Sequence, residues 1–150
     1  MDSKAWLFAI ALVAWSFPFR ASAVLGGDLS SVTADQTHVN GTVQTAQRGS
    51  IVVHEIQAAS GTAIREYVSS GGTVFAVTWA GPSIPDLRQL LGPYFSVYTE
   101  AVKGGRPGRG PINVREPGLV VQSGGQMRAF FGRAYIPSMI PQGVSADEIQ

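Results

Sequence analysis

Two side chains in the first half of the chain, His54 and Glu66, are of types that can transfer protons. An imidazole titrates near neutral pH, and a carboxylate beside it can orient the ring and shift its pKa. Both residues lie in short β-branched runs that have the character of adjacent strands. We expect the two side chains to face each other, and they are our candidate catalytic residues for a small hydrolase or lyase.

A structural role is the alternative for this pair, because a satisfied cross-strand pair at a sheet margin needs no chemistry. The sequence has no G-x-S-x-G motif that would place a serine nucleophile. The other histidine, His38, has Asp35 nearby, but no ligand spacing such as His-Glu-x-x-His is present. We therefore expect neither a metal site nor a cofactor.

A segment rich in glycine, proline and arginine, residues 103–118, is a candidate binding element. Pro107 interrupts its glycines and no Lys-Ser/Thr pair follows, so it does not match a phosphate-binding loop. We expect a long flexible loop that is solvated like a linker; the alternative is that its basic side chains, Arg106 and Arg109 among them, contact an anionic polysaccharide or lipid headgroup. Trp79 is the third candidate binding residue, beside this loop.

An antiparallel sheet is expected to position these residues. Three runs separated by short glycine-containing turns predict a β-meander: Ile51–Ala58, Thr62–Ser69 and Thr73–Trp79. A two-residue loop at the first turn would set Glu55 opposite Glu66, which is unfavourable. A three-residue loop with left-handed Gly61 sets Glu55 opposite Arg65 and His54 opposite Glu66, and we prefer this register.

The second hairpin completes an apolar face of the sheet. A turn at Gly71-Gly72 would set Val68 opposite Phe75 and Ile64 opposite Trp79. The side chains expected on this core face are Val52, Ile56, Ile64, Val68, Phe75, Val77 and Trp79.

A helix follows the meander and is expected to cover the core face. Ser83 and Asp86 have capping-box-like spacing, with Pro85 in the first turn. Pro93 predicts a kink or a break into two short helices. The apolar residues that keep helical spacing are Leu87, Leu90, Leu91, Tyr94, Tyr98, Ala101 and Val102.

The remaining segments complete the expected α+β fold, an antiparallel β-meander plus a C-terminal hairpin with one kinked helix packed on the sheet. Leu119–Gln122 and Gln126–Ile136 predict the hairpin, with its turn at residues 123–125. Phe130 and Phe131 must then point to opposite faces. Residues 28–39 predict a short first helix, and Val144–Gln150 a tail or short terminal helix.

The first 23 residues have the pattern of a secretion signal. Lys4 precedes an apolar run of 13 residues, and Ala21-Ser22-Ala23 is a small-x-small cleavage site. A helix of 13 residues is too short to cross a hydrocarbon core of about 30 Å. We expect cleavage after Ala23, no transmembrane anchor, and a single domain over residues 24–150.

Composition excludes several classes of function. The chain has no cysteine, which excludes disulfides, thiol catalysis and a lipidated cysteine. Cleavage would remove Lys4, Arg20 and Asp2 and leave nine charges of each sign. A chain without net charge has no global field that attracts nucleic acid, so we expect no nucleic-acid partner.

Several motifs together resemble a known family. They are His54-Glu55-Ile56, Ser60-Gly61-Thr62, Arg65-Glu66-Tyr67-Val68, Val74-Phe75-Ala76-Val77-x-Trp79-x-Gly81-Pro82, Pro85-Asp86-Leu87 and Leu91-Gly92-x-Tyr94-Phe95. Over roughly Leu25 to Tyr135 the chain resembles an exported proteobacterial family of uncharacterised proteins, domain of unknown function 2844. The resemblance implies a bacterial source and export across the inner membrane. It implies no activity and carries over no catalytic residue.

From the sequence we therefore expect a small periplasmic or secreted binding or accessory protein that uses no cofactor. Its partner would be another envelope or secreted protein, or a surface glycan. Two alternatives stay open: a hydrolase or lyase that uses His54 and Glu66, and a structural component of an envelope assembly. The lack of a catalytic motif favours a protein that is not an enzyme.

Overall fold

The computed structural model describes residues 25–28, 42–104 and 110–150, and within them one antiparallel sheet of seven strands dominates. The strands are β1 Thr42–Arg48, β2 Ile51–Gln57, β3 Ala63–Ser69, β4 Val74–Gly81, β5 Ile112–Glu116, β6 Leu119–Gln126 and β7 Ala129–Tyr135. Their order across the sheet is β1-β2-β3-β4-β7-β6-β5. The expected meander is thus present, and the C-terminal hairpin extends it beside β4.

The predicted signal segment and nearly all of the predicted first helix lie outside the described residues. Asp28, at the start of that helix, instead forms an isolated antiparallel bridge with Thr73. The segment before it is packed against the fold: Leu25 is fully buried, and its N–H donates to the carbonyl of Leu90 at 3.1 Å.

The register of the first hairpin agrees with the one preferred from charge. His54 pairs with Glu66 and Glu55 with Arg65, and Gly61 has a φ of 85°. A three-residue loop with a left-handed glycine therefore closes the hairpin.

The second hairpin corrects one predicted pair. Ile64 faces Trp79 as expected, but Val68 faces Val74 and not Phe75. The turn closes with a hydrogen bond of 2.9 Å from the Ser69 N–H to the Thr73 carbonyl, and the register shifts between Tyr67 and Val68. This irregularity makes Phe75 an extra residue and turns its side chain to the opposite face.

The helical segment breaks at Gly92-Pro93, as proline predicts. It consists of α1 Leu87–Leu91, a 3-10 turn Gly92–Tyr94 and α2 Phe95–Gly104. Asp86, and not Ser83, is its N-cap: the carboxylate accepts from the N–H groups of Arg88 and Gln89. Ser83 cannot take this position easily, because Ile84 precedes Pro85 and is disfavoured in a helical conformation.

The helices cover one side of the sheet, which we call the front face. The main core lies between the helices and this face. Its central side chain is Trp79, at 2% exposure. The other front-face core residues include Leu25, Ile56, Ile64, Val68, Val74, Val77, Leu90, Leu91, Tyr98, Val114, Leu119, Val121, Ala134 and Ile136. Val102, predicted in the helix stripe, is 39% exposed because it lies on the outer side of α2.

The opposite side, the back face, has a second core. Residues 137–150, the C-terminal segment, cross this face and bury Ile149 completely. The segment contains the predicted short terminal helix as a 3-10 turn, Ala146–Glu148. Ile149 packs in a cluster with Tyr67 and Phe75, whose ring centroids are 6.3 Å apart.

Two predictions for the C-terminal half were wrong. Within the expected loop 103–118, Ile112–Glu116 form the edge strand β5, because alternating Ile112 and Val114 face the core. The last hairpin turns at Met127-Arg128 and not at residues 123–125. Gly124 and Gly125 pair with Phe131 and Phe130 and so belong to β6. Gly125 must be glycine, because a Cβ there would lie 2.3 Å from the carbonyl oxygen of Ala129.

Candidate functional site

The back face is covered over only part of its area, and its open part is a groove of about 510 Å³. The C-terminal segment covers the end near Tyr67 and Phe75. The groove lies at the other end, where β3 begins and β4 ends, and Ile149 and Gln150 border it. Binding sites for small molecules are typically about 300–1,000 Å³ in volume.

Small residues create the groove, and an aromatic ring borders it. Ala63 faces Ala80, Ala80 faces Phe131, and Phe131 faces Gly124 across neighbouring strands. Phe131 is 61% exposed, and its Cζ would lie 3.2 Å from a Cβ on Gly124. Of the two adjacent phenylalanines, Phe131 is thus the one that leaves the core. An exposed ring beside a cavity is typical of a ligand contact.

One row of residues across the groove is polar. Opposite residues of an antiparallel sheet share a face, and the register sets five polar residues side by side on five strands. In order they are Arg65, Thr78, Arg133, Gln122 and Asn113. All five line the groove. The groove therefore combines apolar walls with a few polar groups that could orient a ligand.

Arg65 is held at the end of this row by an ion pair. Its Nε donates to Glu55 Oε2 at 2.7 Å, and its Nη1 donates to the carbonyl of Gln150 at 3.2 Å. The hydroxyl of Tyr67 donates to the same carbonyl. Glu55 thus neutralises this arginine, and the last residue of the C-terminal segment is fixed beside it.

Arg133, in the middle of the row, is held by neutral groups. Its Nε donates to Gln122 Oε1 at 2.7 Å, and its Nη1 donates to the carbonyl of Ala146 at 2.9 Å. A longer contact of 3.4 Å joins Nη1 to the carbonyl of Ile149. The guanidinium also lies 5.9 Å from the ring centre of Tyr135. Neither ion pair found among the described residues includes Arg133.

The predicted proton-transfer pair lies on the front face. His54 and Glu66 are opposite each other, but they are only 8% and 0% exposed. Nδ1 of His54 shares a hydrogen bond of 2.9 Å with Thr45 Oγ1, and Nε2 has no hydrogen-bond partner in the described part of the chain. Burial lowers the pKa of His54 below 6.5, because removal of water disfavours the imidazolium.

A neutral imidazole opposite a carboxyl group has the chemistry of a proton acceptor. A base must also come within hydrogen-bond reach of a substrate. At these exposures the two side chains are closed to a substrate. Their opposite positions agree with the predicted register, whereas a catalytic role stays a prediction.

The predicted binding residues and the second histidine are not among the exposed side chains of the groove that the structure describes. Trp79 is packed in the front-face core, although it also contributes to the floor of the groove. Its role in binding stays a prediction. Arg106, Arg109 and His38 lie outside the described residues.

The composition of the described residues bears on metal binding and on membrane insertion. No group of three or more His, Cys, Asp or Glu side chains there could hold a metal ion. None of the described helices has the length and apolar character needed to cross a membrane.

Sequence reasoning placed Arg65 opposite Glu55 but did not identify the groove. The available signal was the polar side chains of Arg65 and Thr78 between apolar neighbours on β3 and β4. Arg133 could not be added to them, because nothing in the local pattern shows that β7 pairs with β4.

Comparisons with known proteins place the chain in a family. A family model described as a protein of unknown function, DUF2844, matches residues 21–149. Searches of curated proteins and of solved structures gave no match. Because the matching region covers most of the sequence, the chain belongs to the DUF2844 family of proteins of unknown function.

Proposed function

We propose that this protein is an exported bacterial binding protein that works without a cofactor and holds its ligand in the back-face groove. The groove itself is the observation that carries the proposal. It combines small residues, the exposed ring of Phe131 and a row of polar side chains in a volume of about 510 Å³. The ligand is a small molecule, or a short segment of an envelope protein or surface glycan.

The groove is a better candidate than the His54–Glu66 pair because its side chains are accessible. A ligand that enters it meets the exposed ring of Phe131, whereas Glu66 is completely buried. Its arginines are also held in place before a ligand arrives, which lowers the entropy lost on binding.

Filling the groove tests this proposal. Ala80→Trp would place an indole where Ala80 faces Phe131. Wild-type protein purified from its own cell envelope under mild conditions should carry a bound molecule, detected as added mass by native mass spectrometry. The Ala80→Trp variant should lose that mass, while Thr99→Trp on the exposed side of α2 should retain it. The proposal fails if the filled variant keeps the molecule, or if envelope extract supplies none to the wild type.

Export rests on the sequence of residues 1–23, and the fold supports cleavage after Ala23. Leu25 is already buried, and the Gly26 N–H donates to the carbonyl of Val74 at 2.8 Å. Cleavage after Ala23 would leave these contacts of Leu25 and Gly26 in place. The intact mass of the protein from the periplasm or medium should correspond to a chain that begins at Val24. Protein with an intact leader in the cytoplasm would contradict export.

A further inference from the structure

We infer that Arg133 is an anion anchor: it binds the carboxylate or phosphate of a small ligand whose apolar part lies along Ala80 and Phe131. This inference rests on the proposed function, because it assumes that the groove is the ligand site. It adds the chemical class of the ligand and the residue that selects it.

The charges around the groove are the first observation that supports an anion anchor. The residues that line it include two arginines and no aspartate or glutamate. Arg65 is neutralised by Glu55, which lies 2.7 Å from it at the edge of the groove. Arg133 has only neutral hydrogen-bond partners and is partly buried. None of the hydrogen-bond partners of Arg133 therefore compensates its positive charge, and a partly buried charge is costly unless an opposite charge is brought to it.

The hydrogen bonds of Arg133 are the second observation that supports an anion anchor. A guanidinium has five N–H donors, and Nε and Nη1 make the contacts within the protein. Nη2 makes no hydrogen bond to the described residues, so its two donors are left for a ligand. Gln122 and the carbonyl of Ala146 hold the planar group in place. A fixed guanidinium with unused donors suits the two oxygens of a carboxylate or phosphate.

The groove surface beside Arg133 is the third observation, and it indicates what the rest of the ligand is like. Ala80 and Phe131 form the next cross-strand pair on the face that carries Arg133. This surface has no charge and includes the exposed face of an aromatic ring. A ligand with an acidic group at one end and an apolar or aromatic body would satisfy both parts of the groove.

Three probes of similar shape separate these contributions: 4-phenylbutyrate, 4-phenylbutyl phosphate and the uncharged 4-phenylbutan-1-ol. Binding to the mature protein is measured by calorimetry and by amide shifts in NMR spectra. We expect both anions to bind at least about tenfold more tightly than the alcohol, because a charge-assisted hydrogen bond is worth that much or more. The tighter of the two anions identifies whether carboxylate or phosphate is preferred.

Variants assign the effect to Arg133. In Arg133→Gln the anions should bind only as tightly as the alcohol, while alcohol binding stays unchanged. Arg133→Lys keeps the charge without the planar fork and should bind the anions with intermediate affinity. Arg88→Gln, which removes an arginine from the helix side, should bind all three probes like the wild type. The single tryptophan of the mature chain, Trp79, reports by its fluorescence whether each variant is folded.

The inference and the proposed function fail in different ways. Equal affinity for anion and alcohol, or unchanged anion binding in Arg133→Gln, overturns the anchor and leaves the groove as a site. No binding of either anion at millimolar concentration also overturns the anchor. Probe binding that persists in Ala80→Trp would place the probes outside the groove and count against both.

Discussion

Burial of His54 makes the neutral imidazole the favoured form in the folded protein. Its pKa is lowered from 6.5, whereas the unfolded chain keeps the ordinary value. As pH falls below about 6.5, the unfolded state therefore binds a proton that the folded state does not. The stabilisation is complete above the unfolded pKa and is lost as the pH falls toward the folded pKa.

His54→Gln should remove this pH dependence. We expect the free energy of unfolding of the wild type to fall between about pH 7.5 and about pH 5.5, and to fall less in the variant. Urea unfolding followed by Trp79 fluorescence measures the free energy of unfolding of the wild type and of the variant at each pH. His38→Gln, which removes the other histidine, is the control. A pH dependence that disappears in the control and persists in His54→Gln would contradict the prediction.

Gly132 is another residue whose role depends on packing. A Cβ at this position would lie 2.2 Å from Cζ2 of Trp79 and 2.9 Å from the carbonyl oxygen of Gln122. Gly132→Ala should lower the free energy of unfolding by about 1–3 kcal/mol, the usual cost of an overpacked core. Gly118→Ala, where a Cβ meets nothing within 4 Å, is the control in the same urea titration. Equal stability of the two variants would disprove the close packing.

At the scale of elements, the edge strand β5 has one side in the core. Val114 is 5% exposed and faces the front, whereas Asn113 is exposed on the back. Val114→Asp should cost on the order of 3 kcal/mol or prevent folding, because it buries an unpaired charge. Asn113→Asp should leave the melting temperature nearly unchanged, as measured by circular dichroism. Similar melting temperatures would mean that residues 112–116 do not pack as a strand in solution.

The hairpins show which elements a sequence can specify. The β2–β3 register followed from a like-charge conflict between Glu55 and Glu66, and this information is local. The break at Pro93 is local too, because proline lacks an amide hydrogen and clashes with the preceding turn. The strand β5 was hidden by flanking glycine and proline, and its pairing with β6 and the burial of Val114 stabilise it.

At the scale of the whole molecule, the C-terminal segment builds the second core and one end of the groove. Ile149 is fully buried against the back face, next to the carbonyl groups that hold Arg133. Ile149→Ala should lower the free energy of unfolding by about 2–5 kcal/mol through lost burial and a cavity. Exposed Gln142→Ala is the matched control in the same segment. A negligible effect of Ile149→Ala in urea unfolding would show that the segment is not docked in solution.

The sequence by itself determined the lack of cysteine chemistry. Its local pattern was sufficient to predict the meander, the register of the first hairpin and the broken helix. Each of these depends on neighbours within a few residues, whose charges and backbone preferences act at short range. The groove depends on the pairing of β7 with β4, which sets Arg133 beside Thr78, and on the packing of the C-terminal segment over the end of the back face near Tyr67 and Phe75. Burial of apolar surface from distant parts of the chain decides both, and no local pattern encodes it. The opposite positions of His54 and Glu66 followed from the local register. Their burial depends on the packing of the front face, and only the tertiary structure shows that they are closed to a substrate.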